Sequence, residues 1–247
     1  MFTGLVEELG VVLRRERRRG VVRMHFETKL GPLTLGESIS VHGVCLTVDS
    51  ITKSGFEADL SSETLSRTTL ANFVVGSKAH LERATQLGGR MGGHVVLGHV
   101  DGIGHVTSTT RHGDTLRMEV WAPPELARYL APKGSICIDG VSLTVNGVVD
   151  EPRGKGRGRS RGRPGGGVRF DVMLVPHTLA RTALGELSKD DPVNLEVDVL
   201  ARYVQRQLEL GRGEDAAAPP ASAPAGGEEG RNADAVLYAK LRAGGFA

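Results

Sequence analysis

The chain has 247 residues, of which 39% are hydrophobic and 24% charged, and its formal net charge is +2 at pH 7. These values are typical of a globular protein with one large or two modest domains, and no run approaches the roughly 18 apolar residues of a membrane span. An aromatic content of only 4% argues against a nucleic-acid binder that works by base stacking.

Two further features of the chain bear on its class. Cys45 and Cys137 are the only cysteines and form no CxxC pair, so neither a zinc site nor a disulfide framework is predicted. The start, MFTGLVEELG, has two early glutamates and no apolar core behind a basic end. No signal peptide is therefore expected, and the expected location is the cytoplasm.

Short β-branched segments punctuated by glycine run through most of the chain. In order they include GESISVHGVCLTVDSI, GFEADL, KAHLERA, GGHVVLGHVDGIGHV, GSICIDGVSLTVNGVV, VRFDVML and PVNLEVDV. Alternation and turn spacing of this kind predict antiparallel strands closed into small barrels. SSETLSRTTL, APPELARYL and PHTLARTAL predict single short helices between them.

The strand segments occur twice, so the chain contains an internal repeat. FTGLVEELG aligns with VLGHVDGIG at a separation of 94 residues, and GVCLTV (43–48) aligns with GVSLTV (140–145) at 97. FEADLSSETLSRTTL aligns with FDVMLVPHTLARTAL at a separation of 114. The two copies predict two similar domains, at 1–94 and 95–198.

The separation grows from 97 to 114 because the second copy contains an insertion at 151–167. This stretch, EPRGKGRGRSRGRPGGG, has six basic residues, one acidic residue and no apolar periodicity. We expect a disordered loop at an exposed hairpin tip, where extra length is tolerated. The alternative is that this RG-rich stretch contacts RNA.

After the second copy, DVLARYVQRQLEL predicts a helix at 199–211 with an apolar stripe, formed by Val199, Leu200, Tyr203, Val204, Leu208 and Leu210. Both barrels precede this helix, so an oligomerisation role is expected. The remaining residues, 212–247, are predicted to be a disordered tail.

Six motifs, in order, resemble those of the riboflavin synthase family of the alpha-chain type, the lumazine-binding repeat proteins. They are MFTGLVEELG, GESISVHGVCLTV, GGHVVLGHVDG, KGSICIDGVSLTV, PHTLARTAL and VNLEVDVLARYV. The resemblance implies an all-β fold of two six-stranded Greek-key barrels with a C-terminal helix, and a homotrimer with sites between subunits. It also suggests lumazine synthase as a partner, and it implies no cofactor, metal, nucleic acid or membrane.

The implied reaction is the last step of riboflavin biosynthesis. Two molecules of 6,7-dimethyl-8-ribityllumazine exchange a four-carbon unit and give riboflavin and 5-amino-6-(D-ribitylamino)uracil. Such a reaction needs two similar pockets that are not identical, which agrees with a repeat. A non-catalytic lumazine- or flavin-binding protein, which needs only one good pocket, is the alternative.

In the first copy the resemblance implies catalytic roles for Ser38, Cys45 and His99. Cys45 and Thr47 are two residues apart on a strand and therefore share one face. His94 and His99 are five residues apart and face opposite ways, so a metal ion bound by both is not expected. Cys45 could also be a small buried hydrophobe, and His99 a hydrogen-bonded turn histidine. Further substrate contacts are implied for Gly4, Leu5, Val6, Leu46, Thr47, Asp59, Leu60, Ser61, Ser62, Glu63, Thr64, Gly98 and Val100.

In the second copy the resemblance implies catalytic roles for Ser142 and Asp198. Asp198 beside Ser142 would be a pair able to activate a hydroxyl or a water. Lys133 and Glu196 could instead form an ion pair on the barrel rim, and His177 stands where the family often has glutamate. Substrate contacts are implied for Lys133, Ser142, Leu143, Thr144, Val175, Pro176, His177, Thr178, Leu179, Ala180 and Glu196.

Overall fold

The computed structural model describes residues 1–151 and 166–215. The predicted tail at 212–247 lies almost wholly outside these residues, as does the interior of the predicted insertion at 151–167. No helix within the described residues is long and apolar enough to cross a bilayer.

The first copy folds into one antiparallel sheet of seven strands with a short helix and a 3-10 turn. The strands are β1 (Glu8–Arg18), β2 (Val21–Glu27), β3 (Ser38–Val41), β4 (Val44–Thr47), β5 (Ser50–Ile51), β6 (Gly55–Ser61) and β7 (Lys78–Arg83). Helix α1 (Ser62–Arg67) and the turn Thr69–Asn72 lie between β6 and β7. The strand order is β4-β3-β7-β1-β2-β6-β5.

The second copy folds into a closed barrel of six antiparallel strands. They are β8 (Gly102–His112), β9 (Thr115–Ala122), β10 (Ser135–Ile138), β11 (Val141–Glu151), β12 (Gly167–Leu174) and β13 (Pro192–Val197). Short elements at Pro124–Tyr129, Pro176–Arg181 (α2) and Leu184–Glu186 separate the strands, and α3 (Val199–Asp215) follows β13. The barrel order is β10-β11-β12-β9-β8-β13.

The two sheets have the same plan, which confirms the predicted pair of repeated barrels. The single long β11 corresponds to β4 and β5 together, because the first copy interrupts this strand after Thr47. Asp49 still donates its backbone N–H to Glu57 O at 2.9 Å. The first sheet is therefore a barrel opened at one seam, and the second is fully closed.

Alternating burial within the strands gives each barrel its own apolar core. In β2, Val22, Met24 and Phe26 are buried while their neighbours are half-exposed. Phe26 packs against Phe56 of β6 with ring centroids 5.3 Å apart. The second core is a separate cluster built from β8 to β13. β11 and β12 pair as far as Glu151 and Gly167, so the insertion joins the ends of a hairpin, as the repeat predicted.

Equivalent residues of the two copies meet where the barrels touch. Phe2 and Val96 form an antiparallel bridge, with N–O distances of 2.7 and 3.0 Å. Gly43 and Gly140, the first residues of the repeated hexapeptides, have φ angles of 84° and 85°. A Cβ on Gly43 would lie 2.7 Å from Gly140 N, so only glycine fits this approach.

A buried histidine holds one side of the barrel contact. His80 of β7 donates from Nδ1 to the Asp139 carbonyl at 2.8 Å and accepts at Nε2 from the Ala183 N–H, also at 2.8 Å. Both partners belong to the second copy. Because a carbonyl can only accept and an N–H can only donate, these bonds fix one neutral tautomer.

Asn194 of β13 plays the equivalent part from the second barrel. Its Nδ2 donates to the His42 carbonyl at 2.9 Å, and its Oδ1 accepts from the Thr69 N–H at 2.8 Å. Each barrel therefore contributes one side chain that donates to a backbone carbonyl and accepts from a backbone N–H of the other barrel. The first barrel uses an imidazole for this and the second an amide.

Candidate active site

A cavity of about 590 Å³ lies between the first barrel and the segment that leads into the second. We call it the first pocket. It brings together seven residues that the sequence analysis assigned to substrate or catalysis. These are Cys45, Ser61, Glu63, Thr64, Gly98, His99 and Val100.

Cys45 meets the segment 98–100 through a close backbone contact. The Cys45 N–H donates to Gly98 O at 2.9 Å. Gly98 has a φ of +76°, and a Cβ there would lie 2.6 Å from the Cys45 Cβ. Any side chain at position 98 would therefore push His99 away from Cys45. Cys45 itself is half-buried, so it can both pack at the barrel contact and face the pocket.

Helix α1 forms one wall of the first pocket. Ser61 caps it by accepting the Thr64 N–H at 3.0 Å, which is the usual reason for a serine at this position. Glu63 and Thr64 line the first pocket, whereas Ser62 faces a separate cavity on the other side of the helix.

Six polar or aromatic residues that line the first pocket were not predicted from the sequence: Arg67, Thr68, Asp101, Glu125, Tyr129 and Arg202. Arg202 of α3 forms an ion pair with Asp101 and lies over the Tyr129 ring, its Cζ 5.6 Å from the centroid. Asp101 also accepts the Val197 N–H at 2.8 Å, and Glu125 lies on the same wall. The helix had been interpreted only as an assembly element, so nothing in its pattern pointed to the pocket.

The segment 4–6 lies against the second barrel, not the first. Ser142 donates its N–H to Gly4 O at 2.8 Å, and a Cβ on Gly4 would lie 2.6 Å from the Ser142 Cβ. Val6 packs against the second barrel's core. This arrangement repeats the contact of Gly98 with Cys45, so the interpretation that Gly4, Leu5 and Val6 lie with the first copy's residues is corrected.

Ser142 is hydrogen-bonded to a histidine that the sequence analysis had considered only as a metal ligand. His94 Nδ1 lies 2.7 Å from Ser142 Oγ. Burial lowers the pKa of His94, and the charge of Asp198 offsets part of this effect. A neutral imidazole with an unprotonated Nδ1 can take the Ser142 proton. Its Nε2 is buried and has no partner among the described residues.

The backbone and carboxylate of Asp198 are bonded to the start of α3, and its pairing with Ser142 stays a prediction. Its Oδ1 accepts the Leu200 N–H at 3.0 Å, and its carbonyl accepts the Ala201 N–H at 3.0 Å. Asp198 therefore caps the first turn of α3. The Asp198 charge also opposes the lowering of the His94 pKa by burial.

Strand pairing places the remaining polar candidates on the outward face. Ser38 of β3 is opposite Thr47 of β4, and Thr144 of β11 is opposite Ser135 of β10. Thr47 and Thr144 are exposed. Lys133 is exposed in the turn before β10, where its N–H donates to Val145 O at 2.7 Å.

Several predicted substrate contacts are not open to a ligand through their side chains. Leu46, Leu60 and Leu143 lie in the two cores, at most 8% exposed, so only their backbone can reach a ligand. The Asp59 carboxylate is held by Arg23, with the guanidinium Nε 2.7 Å from Oδ1. Glu196 is buried, and its oxygens accept backbone N–H groups of the segment 97–99.

Helix α2 occupies the place in the second copy that α1 has in the first. Val175, Pro176, His177 and Ala180 are exposed on or beside it, and Thr178 and Leu179 are half-buried. Thr178 O accepts from Thr182 N and Oγ1 at 3.0 and 2.7 Å, which closes the helix end.

Known proteins similar to this chain agree with its duplicated fold. A family model described as "Lumazine binding domain" matches residues 3–84 and 97–198. The riboflavin synthase of Mycobacterium bovis is 42% identical over 216 residues, covering 84% of this chain and 98% of that protein. The riboflavin synthases of Brucella abortus and Photobacterium leiognathi are 40% and 36% identical, covering 83% and 86% of this chain and 97% and 91% of theirs.

Two solved structures share the fold. LumP complexed with riboflavin aligns with a TM-score of 0.65 at 23% identity, and LumP complexed with 6,7-dimethyl-8-(1'-D-ribityl) lumazine aligns with 0.63 at 22%. Each alignment covers 80% of this chain and 99% of LumP.

Proposed function

Since this chain belongs to the lumazine-binding domain family, we propose that it acts as a riboflavin synthase. In this reaction one 6,7-dimethyl-8-ribityllumazine gives up a four-carbon unit and a second accepts it. Riboflavin and 5-amino-6-(D-ribitylamino)uracil together contain all the atoms of the two substrates, so no oxidant or reductant is consumed.

The observation that carries this proposal is the match to riboflavin synthases over nearly their whole length, at 36–42% identity. A binding protein is the other candidate, because LumP has the same fold. The sequence identity to LumP is only 22–23%, so this similarity supports the fold alone. Polar reactive groups in both copies, a thiol at Cys45 and a Ser142–His94 pair, favour a reaction between two bound molecules.

We place the second lumazine beside Ser142 and the segment 4–6, and we call this proposed site the second pocket. The geometry suggests how the two pockets divide the chemistry. Cys45 and His99 face one lumazine in the first pocket, where His99 can exchange a proton with the acidic 7-methyl group. Ser142 and the segment 4–6 face the other lumazine. As the Ser142 oxygen, or a water bonded to it, adds to C7, the π electron pair at C7 moves into the ring system and the oxygen's proton passes to His94 Nδ1. When the adduct breaks down, the oxygen leaves C7 and takes this proton back. Holding the two rings in reacting geometry supplies further rate acceleration.

A turnover assay tests the proposal directly. The purified full-length chain is incubated with 6,7-dimethyl-8-ribityllumazine, and riboflavin is followed by its absorbance. We expect one riboflavin for every two lumazines consumed. Tight lumazine binding without riboflavin formation would assign the chain to the non-catalytic binding proteins instead.

A further inference from the structure

We propose that Glu196 and Glu82 are positioning residues of the proposed synthase reaction, each fixing the short segment that completes one pocket. Glu196 holds the segment 97–99 beside Cys45, and Glu82 holds the segment 3–4 beside Ser142. Neither carboxylate needs to touch substrate for this role. The inference rests on the proposed function only for its effect on turnover.

Glu196 binds three consecutive backbone N–H groups. Its Oε1 accepts from Leu97 at 2.6 Å, and its Oε2 accepts from Gly98 and His99 at 3.0 Å each. The side chain is on β13 and is only 5% exposed. All three bonds have a charged acceptor, which makes them stronger than bonds between neutral groups.

The same segment is held from its other side by Cys45. Gly98 donates its N–H to Glu196 and accepts the Cys45 N–H on its carbonyl at 2.9 Å. The segment is thus fixed between a carboxylate of the second barrel and a strand of the first. His99, whose side chain lines the first pocket, is the next residue. Its position relative to Cys45 therefore depends on Glu196.

The first copy repeats this arrangement with Glu82 of β7. Its Oε1 accepts from the Thr3 N–H and hydroxyl at 2.7 Å each, and its Oε2 accepts from the Gly4 N–H at 2.9 Å. Gly4 O then accepts the Ser142 N–H at 2.8 Å. Glu82 is 4% exposed. The same construction occurs at both pockets, which points to a shared role.

Only a carboxylate satisfies these donors completely. A glutamine at 196 would turn an amide N–H₂ toward an N–H donor and lose at least one bond. Burial raises the pKa of both glutamates, while the backbone bonds oppose that rise. Both carboxyls are therefore buried at an energetic cost that their bonds to the backbone donors offset.

The test compares Glu196→Gln and Glu82→Gln with a matched control, Glu8→Gln. The Glu8 carboxylate also binds backbone N–H groups, those of Lys29 and Leu30 at 2.9 Å, together with the Thr28 hydroxyl. It holds a loop that does not line the first pocket. The control therefore removes a half-buried carboxylate that binds backbone N–H groups, without moving either pocket segment.

We expect Glu196→Gln and Glu82→Gln to lower kcat by about 10- to 100-fold, because displacing a reacting group by about 1 Å has an effect of this size. KM should change by less than threefold, since the barrel strands and helix α1, which form the rest of the pocket wall, stay in place. Glu8→Gln should keep the wild-type kcat. Equal kcat values in Glu196→Gln and Glu8→Gln would overturn the proposal.

Amide hydrogen exchange provides a second measurement, which does not depend on turnover. If Glu196→Gln does not fold, the milder variant Glu196→Asp can be measured instead. We expect exchange at residues 97–99 to accelerate at least tenfold in the Glu196 variants and not in Glu8→Gln. Unchanged protection there would refute the positioning role. A wild-type chain without turnover but with this exchange pattern would refute the proposed function alone.

Discussion

At the level of single residues, thiol and hydroxyl change places between the two barrels. Ser40 of β3 is opposite Cys45 of β4 in the first barrel, and Cys137 of β10 is opposite Ser142 of β11 in the second. Burial raises the pKa of the Cys137 thiol well above its ordinary value, so this thiol stays protonated and acts as a small core residue. At equivalent strand positions, the first barrel therefore presents a thiol at Cys45 and the second a hydroxyl at Ser142.

Ser142→Ala tests the reactive atom of the second pocket. Removing Oγ takes away the only group hydrogen-bonded to His94 Nδ1 among the described residues, and we expect kcat to fall by about 100-fold or more. Thermal unfolding should show a loss of about 1–3 kcal/mol, because a half-buried imidazole loses a partner. Ser108→Ala, at a half-buried position of β8, is the control and should keep wild-type turnover. Wild-type kcat in Ser142→Ala would exclude a catalytic hydroxyl.

At the level of elements, the internal repeat was sufficient to predict two barrels, the short helices and the place of the insertion. Periodicity and spacing are local signals, and strands carry them clearly. Each barrel also contacts a short segment that precedes the other barrel, and periodicity does not predict these contacts. The resemblance placed 98–100 with the first copy, but the contact of Gly4 with Ser142 was not predicted, because these residues are far apart in sequence. For the same reason, the bonds of Glu196 to the segment 97–99 were not foreseen.

The barrel contact through His80 predicts a stability that depends on pH. The folded state holds His80 neutral, with its pKa lowered to about 4 by burial, whereas the unfolded state binds a proton below the ordinary value of 6.5. The unfolded state thus binds more protons between these values. The free energy of unfolding should therefore fall as the pH drops from 6.5 to 4, by a total on the order of 3 kcal/mol.

His80→Asn provides the comparison, because asparagine is what the second barrel uses at the equivalent position, Asn194. An amide does not titrate in this range, so the variant should lose less stability on acidification than the wild type does. Urea unfolding at several pH values between 4 and 7 measures both slopes. Parallel slopes would show that groups other than His80 cause the acid sensitivity.

At the level of the whole molecule, duplication gives one chain two equivalent arrangements, one at Cys45 in the first pocket and one at Ser142, which differ in their reactive groups. Each pocket combines a strand of one barrel with a segment held by the other barrel's glutamate. Neither barrel alone therefore contains a complete pocket. The resemblance to riboflavin synthases also implies a homotrimer in which pockets of different subunits face one another. We propose that α3 forms the contact between its subunits.

Helix α3 presents an apolar stripe that the described residues leave uncovered. Leu200, Tyr203, Val204 and Leu208 are between 55% and 68% exposed, and their spacing places them on one side of the helix. Exposed patches of this kind mark association surfaces. Removing the helix altogether would also remove Arg202 from the first pocket, so point variants separate assembly from pocket structure.

From the proposed trimer, we expect the wild-type chain to sediment as a trimer and the double variant Leu200→Glu, Val204→Asp to sediment as monomers. Each new carboxylate would be buried without a partner at the subunit contact, which opposes association. Turnover should fall with the trimer if the pockets of different subunits act together, while flavin binding to single subunits should persist. Gln207→Glu adds a charge at an exposed polar position of the same helix and should leave the trimer intact. A double variant that still sediments as a trimer would place the subunit contact elsewhere, and a monomer with full turnover would place both reacting lumazines within one chain.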